Sequence, residues 1–149
     1  MWKPEYSIGN LLLDGEHKQI LDLLSAYLEN RLSPQEADWD FLRKILFDHV
    51  TIHFIHEETL MNLYSYAPEA KLKHLEEHRL LKDLCVSQLG DPNAPPLCKE
   101  ATFGTANHLL KVFEDHIASL DKELAPLFKK ESNLKFKSLQ IFLINHHNL

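Results

Sequence analysis

Ten histidines stand in a chain of 149 residues, and imidazole is the side chain most often recruited for metal binding and for proton chemistry near neutral pH. Their spacing narrows the choice. His53 and Glu57 lie four residues apart in the run His53-Phe54-Ile55-His56-Glu57-Glu58, and His74 and His78 repeat the interval. On an α-helix, at about 100° per residue, that interval leaves two side chains on one face, one turn apart, where both can reach a common centre. His116 and Asp121 form a further group, and His17 follows Asp14. Imidazoles joined by carboxylates suit Fe, Cu, Ni or Zn, whereas all-oxygen sets suit Mg, Ca or Mn. The chemistry on offer is that of a transition-metal centre. A single pair at this spacing carries little weight, since His49 and His53 make another.

Helices have to bring these groups together, and four can be read from the sequence. The first runs from about Leu11 to Arg31, with Asn10 as N-cap and apolar positions at Leu13, Ile20, Leu23, Leu24, Tyr27 and Leu28. A second opens on Ser33-Pro34-Gln35-Glu36, where Ser33 caps, Pro34 takes the first helical position and Glu36 completes a capping box; it continues to about Tyr64. Pro68 suits the first turn of a third helix, which ends at Leu89 with Gly90 and Pro92 beyond it. The fourth spans roughly Lys99 to Phe128, with Phe103, Ala106, Leu110, Phe113, Ile117, Leu120, Leu124 and Leu127 as its apolar stripe. These elements predict an all-α fold, an antiparallel up-down-up-down four-helix bundle with a short C-terminal extension. Residues 1–130 form the domain and 131–149 the extension. Its run Leu139-Gln140-Ile141-Phe142-Leu143-Ile144 fits a short packed helix, a dimer contact or a tail, and is too short to span a bilayer.

Depth in such a bundle links the candidate groups. His17 lies about six residues from the start of its helix, His53/Glu57 about eight from the end of theirs, His74/His78 about eight from a start, and His116 with Asp121 about ten from an end. In an antiparallel bundle these places share one level, roughly 9 to 15 Å from the same end. Burying five imidazoles and two carboxylates without partners would cost several kcal/mol per group, a cost that metal coordination removes.

Composition bounds the rest. Apolar residues make up 44% and charged residues 26%, with 4 glycines, as in a globular protein. A net charge of −6 argues against nucleic-acid binding. No apolar leader follows Met1-Trp2-Lys3-Pro4-Glu5, so a cytoplasmic protein without membrane insertion is expected. Cys85 and Cys98 read as ordinary thiols.

In order and near-spacing, His17 after Asp14, His53-Phe54-x-x-Glu57-Glu58-x-x-Met61, His74-x-x-x-His78 and His116-x-x-x-x-Asp121 resemble the hemerythrin signature. The likeness extends over about residues 2–128, including Trp2 and Tyr6-Ser7-Ile8-Gly9. It implies two iron ions: His74, His78 and His116 ligate one, His17 and His53 the other, and Glu57, Asp121 and an oxo or hydroxo group bridge them. It also implies that the iron with fewer protein ligands takes up O2 reversibly, for transport, storage or delivery. The ferritin-like di-iron alternative uses Glu-x-x-His pairs, which this chain lacks.

Phe54, Val112, Phe113 and Ile117 are expected to line the O2 pocket. Val112 stands where the family commonly has Trp, and Leu124 where it often has Tyr. Other readings are an O2 or redox sensor acting through a partner protein and a di-iron enzyme acting on peroxide or nitric oxide, though no enzymatic turnover is expected. A phosphotransfer bundle built on His78-Arg79-Leu80-Leu81-Lys82 would leave the remaining ligand-spaced groups unexplained. Homo-oligomerisation and the protein partner stay open.

One spacing is awkward. Five residues separate His116 from Asp121, about 140° on an ideal helix. A π-bulge would bring them together, and Pro126, which cannot donate to the carbonyl of Lys122, predicts an interruption nearby. His49 reads as a rim or pocket residue. His56 and His108 fall off the ligand faces, and His146 and His147 belong to the extension.

Overall fold

A computed structural model describes residues 2–31, 39–90 and 102–129 of the chain. Among them all regular structure is helical. A 3-10 turn, Pro4–Tyr6, precedes α1 (Leu11–Leu28), α2 (Trp39–Leu63), α3 (Pro68–Leu89) and α4 (Thr102–Ser119); a second 3-10 turn, Asp121–Leu124, leads into the short α5 (Ala125–Lys129).

Local chemistry accounts for the helix ends. The Asn10 side chain accepts the backbone N–H groups of Leu12 and Leu13 at 3.0 and 3.2 Å, satisfying donors that have no partner within α1. At its far end α1 stops three residues short of the expected Arg31. Asn30 turns to φ 53°, in the left-handed region that asparagine tolerates, and the Arg31 N–H reaches back to the Ala26 carbonyl at 2.9 Å. Pro68 opens α3 as expected, and Gly90, at φ 76°, caps it with its N–H on Val86. The expected start of the second helix at Ser33 and the extension 131–149 lie outside the described residues.

α1 packs against α2 and α4, and α3 against the same two helices. Two apolar clusters fill the interior. The larger joins Ile20, Leu21 and Leu24 to Leu42, Leu46 and Val50, to Leu81, Cys85 and Leu89, and to Ala106, Leu109 and Phe113; the smaller holds Ile8, Leu13, Leu60 and Ala125. Each fully buried leucine contributes about 1.5–3 kcal/mol. Burial pushes the Cys85 thiol up to about 12, which leaves it inert.

The N-terminal arm is tied down at both of its faces. Asp14 accepts Ser7 Oγ at 2.6 Å and the Ile8 N–H at 2.8 Å, while Lys122 Nζ donates to the carbonyls of Glu5 and Ser7 at 2.7 and 2.6 Å. Trp2 thereby comes to stack beside His17, with ring centroids 6.5 Å apart. No helix among the described residues is long and apolar enough to cross a membrane.

Candidate metal centre

Between the two apolar clusters lies a polar layer. His17 comes from α1, His53 and Glu57 from α2, His74 and His78 from α3, His116 from α4, and Asp121 from the 3-10 turn that follows; all seven are buried. Their donor atoms fall into two sets, each with every atom within 4.8 Å of the others: His74, His78 and His116 with Glu57 and Asp121, and His17 and His53 with the same two carboxylates.

Both carboxylates divide their oxygens between the sets. Glu57 Oε1 lies 3.7 Å from Nε2 of both His17 and His53, while Oε2 lies 3.3 Å from His74 Nε2 and 3.0 Å from His78 Nε2. Asp121 Oδ2 approaches His17 Nε2 at 3.1 Å, and Oδ1 approaches His74 and His116 Nε2 at 3.1 and 3.0 Å. His17 and His53 face each other through Nε2 atoms 3.0 Å apart.

Closeness here is not the same as hydrogen bonding. Glu57 Oε1, His74 Nε2, His116 Nε2 and both Asp121 oxygens are buried without a hydrogen-bond partner. Orphaned polar atoms are rare in protein interiors because each forfeits its hydration. Apart from His17 Nε2 to His53 Nε2 and His78 Nε2 to Glu57 Oε2, each at 3.0 Å, the five imidazoles and two carboxylates converge without hydrogen-bonding one another, which fits a site built for metal ions, and the nitrogen-rich donor set fits iron-type metals.

The spacing of His116 and Asp121 is accommodated by a break in the helix and not by a π-bulge. α4 stops at Ser119, and the Lys122 carbonyl, which Pro126 cannot serve, accepts the Ala125 N–H three residues on. Asp121 therefore belongs to a separate, tighter turn, and the 140° offset of a continuous helix no longer applies.

Charges in this layer depend on one another. Burial opposes protonation of His17, but the Asp121 and Glu57 carboxylates beside it outweigh burial and push the imidazole up to about 10. His74 rises to about 9 against the same burial, through the same two carboxylates. Burial also opposes ionisation of Glu57 and Asp121, yet the surrounding imidazoles hold both carboxyls well below the usual range.

A pH dependence follows for protein stripped of metal by chelation. The raised histidines contribute stability that is complete below their unfolded value of 6.5 and is lost as pH rises through about 9 and about 10. The depressed carboxyls contribute stability that is complete above their unfolded values of 4.5 and 3.8 and is lost as pH falls through the folded values. The melting temperature should peak between these limits and fall by several degrees on either side. A flat profile from about pH 6 to 10 would contradict this assignment.

Around the layer, Phe54 stacks face to face on His78, with centroids 3.8 Å apart and planes 6° apart. Phe113 and Ile117 are buried in the same apolar cluster as Phe54. Val112 sits at the rim, where it lines a surface cleft of about 400 Å³ together with Lys73, Glu77, Leu81 and His116. His49 stacks parallel to His53 at 5.9 Å with its buried Nε2 unpaired; burial first, then the nearby His53, pushes it down to about 4.

Sequence reasoning missed three contributors. Glu16 receives His53 Nδ1 at 3.0 Å and His56 Nδ1 at 2.6 Å, so His56 is buried against α1 instead of facing away. Glu58 receives His78 Nδ1 at 3.1 Å. Burial raises the Glu16 carboxyl, but the hydrogen bonds and charge of the two histidines outweigh it and bring it to about 2. His49, His53 and His56 stand at i, i+4 and i+7, one stripe of α2, and that pattern was the available signal.

The sequence model of the hemerythrin HHE cation binding domain matches residues 9–128, most of the chain. Comparison with curated proteins and with solved structures finds no match to either.

Proposed function

We infer that this chain, which belongs to the hemerythrin HHE cation binding domain family, holds two iron ions and binds O2 reversibly, without turning over a substrate. The observation that carries the reading is the division of Glu57 and Asp121 between two histidine sets, one oxygen to each side. Carboxylates so placed act as bridges. His74, His78 and His116 hold one ion and His17 and His53 the other, with an oxo or hydroxo group completing the pair.

The two sets are unequal, five protein donors against four, which leaves the two-histidine position the more open. A bridged iron pair supplies the reversible electron exchange by which O2 is held and released. The protein contributes orientation and dryness. Phe54, Phe113 and Ile117 exclude water beside the ligands, and Val112 leaves one edge less covered.

Antiparallel up-down-up-down packing within a domain of residues 1–130 is part of the same reading. From the smaller apolar cluster through the polar layer to the larger one, residue numbers rise along α1 (Leu13, His17, Leu21) and fall along α2 (Leu60, Glu57, Val50). They rise again along α3 (His74, His78, Leu81) and fall along α4 (His116, Phe113, Leu109).

The cleft beside Val112 and His116 favours a second reading, a di-iron enzyme acting on peroxide or nitric oxide. Metal analysis followed by cycling the reduced protein between argon and air separates the two. About two irons per chain and a visible charge-transfer band that appears with O2 and fades on its removal are expected. Zinc, no metal, or a band that never fades would overturn reversible binding, and turnover of peroxide or nitric oxide well above that of free iron would favour the enzyme.

A further inference from the structure

His56 carries no ligand role, yet it is only 3% exposed and lies on α2 beside the bridging Glu57. Its Nδ1–H donates to Glu16 Oε1 at 2.6 Å, and the other oxygen of that carboxylate accepts His53 Nδ1–H at 3.0 Å. Glu16 thus joins two histidines of α2 from its place on α1, next in sequence to His17.

A glutamate side chain has three rotatable torsions and, held at one oxygen only, samples several orientations. Fixed at its second oxygen by a packed imidazole, it presents a defined acceptor to His53. That acceptor selects the tautomer of His53 in which Nδ1 carries the proton and the Nε2 lone pair faces the centre. On the three-histidine side the matching contact, His78 to Glu58, uses a carboxylate 33% exposed to solvent. The more enclosed carboxylate, Glu16 at 13% exposure, belongs to the two-histidine side.

We propose that His56 is a positioning residue that acts through Glu16 to fix the tautomer and aim of His53, and so retains the metal at the two-histidine position. The proposal rests on the two-metal reading above. It assigns His56 an effect on one metal and not the other.

The test loads the full chain with Fe(II) under argon, adds excess ferrous chelator and follows release, which for the unaltered chain should run in two phases, one for each position; a single phase would overturn the proposal. His56→Leu fills the space without a donor and should speed one phase by about 10- to 100-fold while leaving the other unchanged. His56→Asn, whose amide nitrogen takes the place of Nδ1, should restore most of the slow release. Glu16→Gln, on the other helix, should reproduce the leucine result, and it decides the matter if His56→Leu does not give the native circular dichroism spectrum. Equal acceleration of both phases, no acceleration, or failure of asparagine to rescue would overturn the proposal alone. An unaltered chain that does not hold two irons would overturn the reading beneath it, and the proposal with it.

Discussion

Alanine at position 57 should leave the chain with neither metal ion. Glu57 is wholly buried, and its two oxygens address different histidine sets, His17 and His53 through Oε1 and His74 and His78 through Oε2. On the two-iron reading, removing it would take a donor from both positions together with one of the two negative charges that would make two divalent cations tolerable in an apolar interior. A ligand at a thousand times its dissociation constant stabilises a fold by about 4 kcal/mol, and that contribution disappears with the metals. Breaking the buried carboxylate–imidazole network adds a cost of about 3–5 kcal/mol. Glu57→Gln, which keeps the shape and one oxygen, should fall between the two. Iron content per chain, with melting temperatures recorded with and without iron, checks this, and retention of both metals by Glu57→Ala would refute a bridging role.

The second large effect is expected at Phe54, which is 1% exposed and lies flat on His78. Its ring is also tilted against His53 and His116 at 5.7 and 6.1 Å, and Lys82 Nζ sits 5.3 Å from its centroid. Phe54→Ala should destabilise the iron-loaded protein by about 3–5 kcal/mol, because the surrounding helices can only partly close the space. Phe54→Leu should recover most of that loss. On the proposed O2-binding reading, loss of the buried ring beside His78 should also make the O2-bound form of the alanine variant oxidise faster than that of the unaltered chain. Denaturant unfolding and the decay of the visible band measure the two effects, and a loss below about 1 kcal/mol would show that Phe54 is not part of the packing.

Where the determinants are local, the sequence was enough. Asn10, Pro68 and Gly90 mark helix ends by chemistry contained within a few residues, and all three act there in the structure. Shared depth along four helices pointed to the seven polar residues that the fold brings together. What escaped depends on contacts between elements. Pro126 announced an interrupted ladder, but whether the turn would widen or tighten depended on Asp121 being drawn towards His17, His74 and His116 from three directions. His56 reads as facing away although it shares a stripe of α2 with His49 and His53, and only the packing of α1 against that stripe supplies Glu16 as its partner. The early stop of α1 turns on Asn30 adopting a left-handed conformation, which a helix-tolerant sequence through Arg31 does not announce.

Lys122, which clasps the carbonyls of Glu5 and Ser7, joins residues 117 and 115 positions apart. Asp121 is its immediate neighbour, so the turn that offers the last carboxylate is seated on the segment that leads into α1. During synthesis the complete donor set therefore cannot exist until nearly the whole domain has emerged. A metal ion arriving earlier finds only the neighbouring pairs on α2 and α3, each an incomplete set that holds it weakly. Contacts of such long sequence separation form late, after the entropy of closing the intervening chain has been overcome. On the two-iron reading, metal capture would follow the closing of this long loop, and loss of the segment around Glu5 and Ser7 would be felt first at Asp121, far along the chain.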